Sequence, residues 1–219
     1  MSFIAPFPGA NIVIETFLAH AEGGSGNPVT FSALSFGAAA ANRFLVAAFT
    51  WIGSPAKTLS SCTIGGISAT VVVSSGAGGA TGQSAAIAIA AVPTGTSGNV
   101  VGTFSGSVAN VAVALYSLSA IASATPTATA SSNAANPTAT INIGAGACLL
   151  AVAGAIGTSP SGSWTSPMTN DVNTTFGGGT ACRTAASHVF PSAQTALVVT
   201  CTFTSSGSGA AGAFAVFSP

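Results

Sequence analysis

The stretch QSAAIAIAAVPTGTSGNVVGTFSGSVANVAVALYSL, residues 83–118, decides the fold. Ile87 and Ile89 alternate with alanines near its start, and Val111 and Val113 do the same near its end. A period of two is typical of a β-strand with one buried face. The intervening PTGTSGN and SGS segments supply the Gly, Pro, Ser and Asn that reverse a chain. The stretch therefore predicts three short strands that are neighbours in one sheet.

Strand-like alternation recurs along most of the chain, at the spacing expected of a β-sandwich or a β-barrel. In TALVVTCTFT, residues 195–204, Leu197, Val199 and Phe203 share one face and the threonines share the other. Nowhere do apolar residues repeat at three and four with a polar opposite face, as an amphipathic helix requires. We therefore predict an all-β protein whose residues 29–219 form a single antiparallel β-sandwich.

Residues 1–28 differ in composition from the rest and predict an extended N-terminal arm. They hold two of the three acidic residues, one of the two histidines and three of the eleven prolines. We expect the arm to pack on its own domain or against a neighbouring subunit. Its candidate interface side chains are apolar: Phe3, Ile4, Phe7, Ile12, Ile14 and Phe17.

Charge is nearly absent from this chain. Three basic and three acidic residues make up 3% of its 219 residues, against about 25% in a typical soluble domain. The net charge of zero gives no electrostatic footprint for nucleic acid or an anionic membrane, so we expect neither as a partner. Little self-repulsion favours association, so we expect a homo-oligomer, and a trimer if the protein occupies symmetry points of a larger lattice.

The residue types that catalysis requires are almost missing. Only Glu15, Glu22 and Asp171 carry carboxyl groups, and two of them lie in the predicted arm, which disfavours a carboxylate pair. No GxSxG elbow marks an activated serine. The four cysteines lack CxxC spacing, and only two histidines exist to complete a metal site. We therefore expect no enzyme, no cofactor and no metal.

The most chemically varied surface candidate is SPSGSWTSPMTNDVNTTFGGGT, residues 159–180, which we predict to be an irregular loop. Exposed loops commonly carry recognition residues. The candidates here are Trp164, Asn170, Asp171 and Phe176. Arg43 and Arg183 are isolated cations, and either of them can pair with Asp171 across strands, a structural role that we favour over ligand binding.

The opening MSFIAPFPGANIVIETF lacks the basic n-region of a secretory signal, so we expect synthesis in a cytoplasm without export. The cysteines are then expected to be thiols. If the segments flanking Phe190-Pro191 form a hairpin, Cys182 and Cys201 can instead form a disulfide after release into an oxidising medium. Both alternatives stay open.

The succession RFLVAAFTWIG, SSCTIGGISATVV, AIAIAAVPTGTSGNVVGTFSG, VAVALYSLSAI and ATPTATASS resembles a domain found in tailed bacteriophages and in proviral regions of proteobacteria. The match covers roughly Ser35 to Ser132, and TIGG at 63–66 and VPTGTSGNV at 92–100 are its most specific pieces. Ala128 stands where the family pattern ATPxDTAS has aspartate. The resemblance implies a virion structural module with a jelly-roll-like β-sandwich.

Two roles follow from this resemblance. It implies a capsid decoration or cement protein on the outside of a phage head, in contact with copies of itself and with the major capsid protein or other virion proteins. In that role the arm reaches across neighbouring subunits. The alternative is a tail-fibre or head-spike module that binds a host surface glycan through the loop 159–180. Either role places the protein in the virion.

Overall fold

The computed structural model describes residues 11–76, 82–158, 160–176, 179–205 and 209–219. No helix is present in these ranges, so the prediction of an all-β protein is confirmed. The sixteen strands are, in chain order, β1 (Ile14–Glu22), β2 (Val29–Ser35), β3 (Phe44–Ile52), β4 (Leu59–Ile64), β5 (Ile67–Ser74), β6 (Gln83–Ala91), β7 (Ser97–Phe104), β8 (Ala109–Ser119), β9 (Ala128–Ser132), β10 (Thr138–Ile143), β11 (Cys148–Ile156), β12 (Gly162–Trp164), β13 (Thr169–Phe176), β14 (Ala181–Val189), β15 (Gln194–Phe203) and β16 (Gly209–Phe217).

The strands form three antiparallel sheets. An eight-stranded sheet has the order β1-β8-β3-β6-β5-β4-β7-β2, and it curls until its edge strands β1 and β2 approach each other. A five-stranded sheet has the order β13-β14-β11-β16-β9, and a three-stranded sheet has the order β10-β15-β12. Face-to-face packing of such sheets is the predicted sandwich.

The sandwich is present twice. Adding eight to each strand number converts β1-β8-β3-β6-β5 into β9-β16-β11-β14-β13, and converts β4-β7-β2 into β12-β15-β10. The central strand of each half has matching partners on both sides, in the pairs Phe44–Ala91, Phe44–Leu118, Cys148–Val189 and Cys148–Phe217. The chain therefore consists of two copies of one eight-stranded unit, unit 1 (β1–β8) and unit 2 (β9–β16).

The two units stack as four layers. The outer layer of unit 1 (β4, β7 and β2) packs on its inner layer around Phe49, Trp51 and Ile64. The inner layers of the two units meet through equivalent faces, since Val46 and Ala48 of β3 and Leu150 and Val152 of β11 belong to one buried cluster. On the far side, the core of unit 2 is built from side chains such as Ile141, Leu149, Val199 and Phe214.

The predicted arm is wrong for the segment Ile14–Glu22. This segment is the strand β1, which pairs with β8 over its whole length. Phe17 packs edge-on against Tyr116 with the ring centroids 5.4 Å apart, so its interface is with its own chain. Ile12 and Ile14 are exposed, at 44% and 62%. The other arm candidates, Phe3, Ile4 and Phe7, lie outside the described residues.

Candidate functional site

Ionisable side chains are scarce and concentrated in one place. All eight Asp, Glu, Lys, Arg and His residues lie in the described ranges, and among them only Glu22 is exposed. Six of the eight belong to β1, β13 and β14. Five of these six gather where the first strand of unit 1 meets the edge of unit 2: Glu15, His20, Glu22, Asp171 and Arg183. The sixth, His188, packs its ring against Phe190. This ionisable cluster is the most chemically distinctive site of the described structure.

One end of the ionisable cluster is a pair of carboxyl groups. The buried hydroxyl of Tyr116 on β8 donates to Oδ2 of Asp171 at 3.0 Å. Ser187 on β14 hydrogen-bonds with the side chains of both Glu15 and Asp171, whose charges repel each other. Oε1 of Glu15 is buried and has no hydrogen-bond partner. Two acids from different units are therefore joined through one serine.

Burial governs the proton affinity of these acids. It raises the pKa of Glu15 to about 7, and the charge of Asp171 adds to that increase while Ser187 opposes it. Burial also raises the pKa of Asp171, although hydrogen bonds from Ser187 and Tyr116 oppose this effect. Because the two groups interact, they titrate as a pair. Near neutral pH the pair holds one proton for part of the time.

The other end of the ionisable cluster surrounds Arg183. Its guanidinium is buried and donates to the backbone carbonyls of Asn110 and Cys182, the latter at 3.0 Å. Burial lowers the pKa of Arg183 to about 9, and the nearby charge of Glu22 opposes that shift. Burial also lowers the pKa of His20, whose buried Nε2 has no hydrogen-bond partner. His20 and Arg183 line one small cavity between the units.

We expect Tyr116→Phe to lower the free energy of unfolding by about 2 kcal/mol, because the hydrogen bond from a buried hydroxyl to a half-buried carboxyl group is lost. Urea denaturation of Tyr116→Phe, Asp171→Asn and the double variant measures the effect as a double-mutant cycle. The decrease in the free energy of unfolding should be smaller in the double variant than the sum of the decreases in the two single variants. Additive losses would show that this contact contributes nothing.

The partners of Arg43 differ from the one considered from the sequence. Its guanidinium is buried and donates to six backbone carbonyls at 2.7–3.2 Å, rather than to the carboxylate of Asp171. The six acceptors are Phe36, Gly37, Ala38, Val92, Thr94 and Gly95. Arg43 thus ties the β2–β3 connection to the β6–β7 turn. The equivalent position in unit 2 is Ala147.

The prediction that residues 159–180 form an irregular loop is wrong, because this segment contains β12 and β13. The ring of Trp164 packs edge-on against Phe214, and its indole N–H donates to Oγ1 of Thr184 at 2.7 Å. The Thr184 hydroxyl donates in turn to Oδ1 of Asn170 at 3.0 Å. These polar groups therefore join the layers of unit 2. Asp171 belongs to the ionisable cluster, and the side chain of Phe176 lies outside the described residues.

All four cysteines are buried free thiols. Cys182 and Cys201 share one buried cluster, but β14 and β15 belong to different sheets and do not form the hairpin considered from the sequence. Burial raises the pKa of Cys182 to about 11, which makes it a poor nucleophile at neutral pH. Within the described ranges, no three His, Cys, Asp or Glu side chains are grouped to hold a metal ion.

The outer layers of both units carry no ionisable side chain at all. The strands β2, β4, β7, β10, β12 and β15 contain neither Asp, Glu, Lys, Arg nor His. In unit 2, Thr138 and Thr200 join their hydroxyls at 3.0 Å on the solvent face, and Val198 beside them is 54% exposed. The two ends of the stack therefore present uncharged sheet faces rich in threonine, serine and valine.

Three comparisons with known proteins, against family profiles, curated proteins and solved structures, found no match to this chain. In the part of the chain that the structure describes, no helix is long and apolar enough to cross a membrane.

Proposed function

We propose that this protein is a structural component of a bacteriophage particle, a decoration protein that binds to the outside of the head and stabilises it through subunit contacts. The observation that carries the proposal is the distribution of charge. Ionisable groups are gathered between the two units, while the six strands of the outer layers have none. The resemblance of the segments TIGG and VPTGTSGNV to phage structural domains supports the same role.

An uncharged sheet face is suited to repeated contacts. Burying a charged side chain at an interface has a desolvation cost, whereas hydroxyl groups that already bond to each other lose little. Thr138 and Thr200 are such a pair. Because each molecule has one such face at either end of its stack, it can contact two neighbours. The partners are copies of this chain, as a homo-oligomer, and the major capsid protein or other virion proteins.

A decoration role is favoured over the binding of a host glycan. The glycan-binding alternative depended on Trp164 and Asn170 as free recognition groups. Both side chains form hydrogen bonds within unit 2. Trp164 and Asn170 each bond to the Thr184 hydroxyl, and Asn170 also donates to the carbonyl of Gly162. The decoration role requires no catalytic residue, cofactor or metal.

The stoichiometry of this chain in purified particles tests the proposed role. We expect mass spectrometry to find hundreds of copies per particle, as a protein that covers a head lattice requires. A few copies per particle, at a vertex or tail tip, would support the spike or fibre alternative. Complete absence from particles would overturn both.

We expect Val198→Lys to reduce self-association at least about tenfold, because it places a charge in the centre of the uncharged face of unit 2. Sedimentation velocity over a range of protein concentrations measures the effect. Thr96→Lys is the matched control, since Thr96 is exposed in the β6–β7 turn, away from that face. Equal association of the two variants would show that the face is not an interface.

A further inference from the structure

The strand β1 is held by its backbone at one edge and by side chains on the face towards unit 2. Along one edge its backbone pairs with β8. On the side of unit 2, its ionisable side chains meet β13 and β14 through Glu15, which interacts with Ser187 and Asp171. Within unit 1, β1 also approaches β2, and its side chains Leu18, Ala19 and Ala21 pack against the core. The carboxyl pair is therefore a polar contact that joins this strand to unit 2, where its protonation can affect how firmly β1 is held.

We propose that the Glu15–Asp171 carboxyl pair is a proton-operated latch, which holds β1 against unit 2 while the pair is protonated and loosens β1 when the pair loses its proton. While the pair holds a proton, one carboxyl group donates a hydrogen bond and the other accepts it, either directly or through the Ser187 hydroxyl. When the pair has lost its proton, two carboxylates share the site. The Tyr116 hydroxyl donates a hydrogen bond to Asp171, whereas Oε1 of Glu15 has no hydrogen-bond partner. The inference is independent of the proposed role in a virion.

The groups around the carboxyl pair do not offset a second negative charge. Tyr116 faces it from β8, Cys148 from β11 and Ser187 from β14. Burial and the charges of the acids raise the pKa of the Tyr116 hydroxyl and the Cys148 thiol well above their usual values, so both stay neutral. His188, next to Ser187 on β14, packs its ring on Phe190 with centroids 4.6 Å apart.

The direction of the pH effect follows from Glu15. Its pKa is raised from 4.5 to about 7 in the folded protein. Its contribution to stability is therefore complete below pH 4.5 and is lost as the pH rises through about 7. At the other end of β1, the pKa of His20 is lowered, so its contribution is complete above 6.5 and is lost on acidification. Arg183 strengthens and Glu22 weakens that second effect. The latch is therefore closed in mildly acidic solution and opens on the alkaline side.

Hydrogen exchange of the full chain, read by mass spectrometry and corrected for intrinsic exchange rates, tests the latch. We expect the amides of Ile14–Glu22 to exchange about tenfold faster at pH 8.5 than at pH 6, relative to the buried strand β11, since one pKa unit corresponds to a tenfold change. Glu15→Gln copies the protonated acid and should abolish this difference. Glu22→Gln, at an exposed position of the same strand, should retain it.

Three results would overturn the latch: equal protection of β1 at both pH values, an unchanged pH effect in Glu15→Gln, or loss of the pH effect in Glu22→Gln. If Glu15→Gln does not fold, Asp171→Asn replaces it. Burial of Glu15 remains in this variant while the repulsion is removed, so the pH difference should become smaller without disappearing. An undiminished tenfold difference in Asp171→Asn would contradict the proposal equally.

Discussion

Replacing Arg43 by methionine should lower the free energy of unfolding by about 4 kcal/mol. Six backbone carbonyls that now accept hydrogen bonds from one buried guanidinium would lose their donor together. Each buried polar group left without a partner costs about 1–3 kcal/mol, reduced where water can enter. The loss is a large fraction of the stability of a typical domain.

Arg43→Lys should lose less free energy of unfolding than Arg43→Met but remain less stable than the wild type. An ammonium group lacks the planar guanidinium geometry that reaches carbonyls on two sides. Urea denaturation of all variants measures these losses. Lys57→Met is the control, since it also removes one of the three basic groups. Its expected cost is below about 1 kcal/mol. Equal losses in Arg43→Met and Lys57→Met would refute the role of Arg43 as a tie between turns.

Gly82→Ala should destabilise unit 1 by more than about 3 kcal/mol. A Cβ at this position would lie 1.6 Å from the carbonyl oxygen of Gly53, a distance that no packing adjustment accommodates. The backbone bond from Gly53 N–H to Gly82 O, now 3.0 Å, would break. Its loss would open the end of the β3–β6 pairing, where Ile52 lies opposite Gln83.

Gly66→Ala is a control that distinguishes the effect of the Cβ clash on stability from the effect of backbone strain. Both glycines have positive φ, +68° for Gly82 and +82° for Gly66, but a Cβ at Gly66 meets nothing within 4 Å. Gly66→Ala should therefore cost only the left-handed penalty of about 1–2 kcal/mol. Thermal or urea unfolding compares the two. If Gly66→Ala is as damaging as Gly82→Ala, the close approach to Gly53 is not the cause.

The strands were predictable because the hydrophobic pattern of each strand depends on the layer that the strand occupies. Outer strands alternate, as in β10, where Ala139, Ile141 and Ile143 are buried and their neighbours are exposed. Inner strands such as β6 and β11 are buried along nearly their whole length, because a sheet covers each face. They therefore read as continuous runs of alanine, valine and isoleucine.

The duplication could not be predicted, because topology was kept while side chains changed. In the equivalent strands β6 and β14, only Ala88 and Ala186 are identical among the paired positions. Phe190-Pro191 does repeat the hydrophobic-Pro step of Val92-Pro93, but two residues are a weak signal. The β1 strand was missed because its two glutamates and histidine suggested a solvated arm.

The ionisable cluster was also hidden from sequence reasoning. Its members come from positions far apart in the chain, and one member and a neighbouring serine replace apolar residues of the other unit. Arg183 of β14 occupies the place of Ala85 in β6, and Ser187 occupies the place of Ile89. Only the register of both sheets shows this exchange. A polar residue on a buried inner strand was the one available clue.

Joining the two units in one chain has removed a restriction that applies to paired identical subunits. In a twofold dimer every residue of the contact occurs twice, so an acid at the centre would face a second copy of itself. Here the genetic linkage of both halves lets each evolve its own side chains. Unit 2 has Arg183 at the place where unit 1 has Ala85. The contact between the two similar units is therefore asymmetric, with different side chains on its two sides.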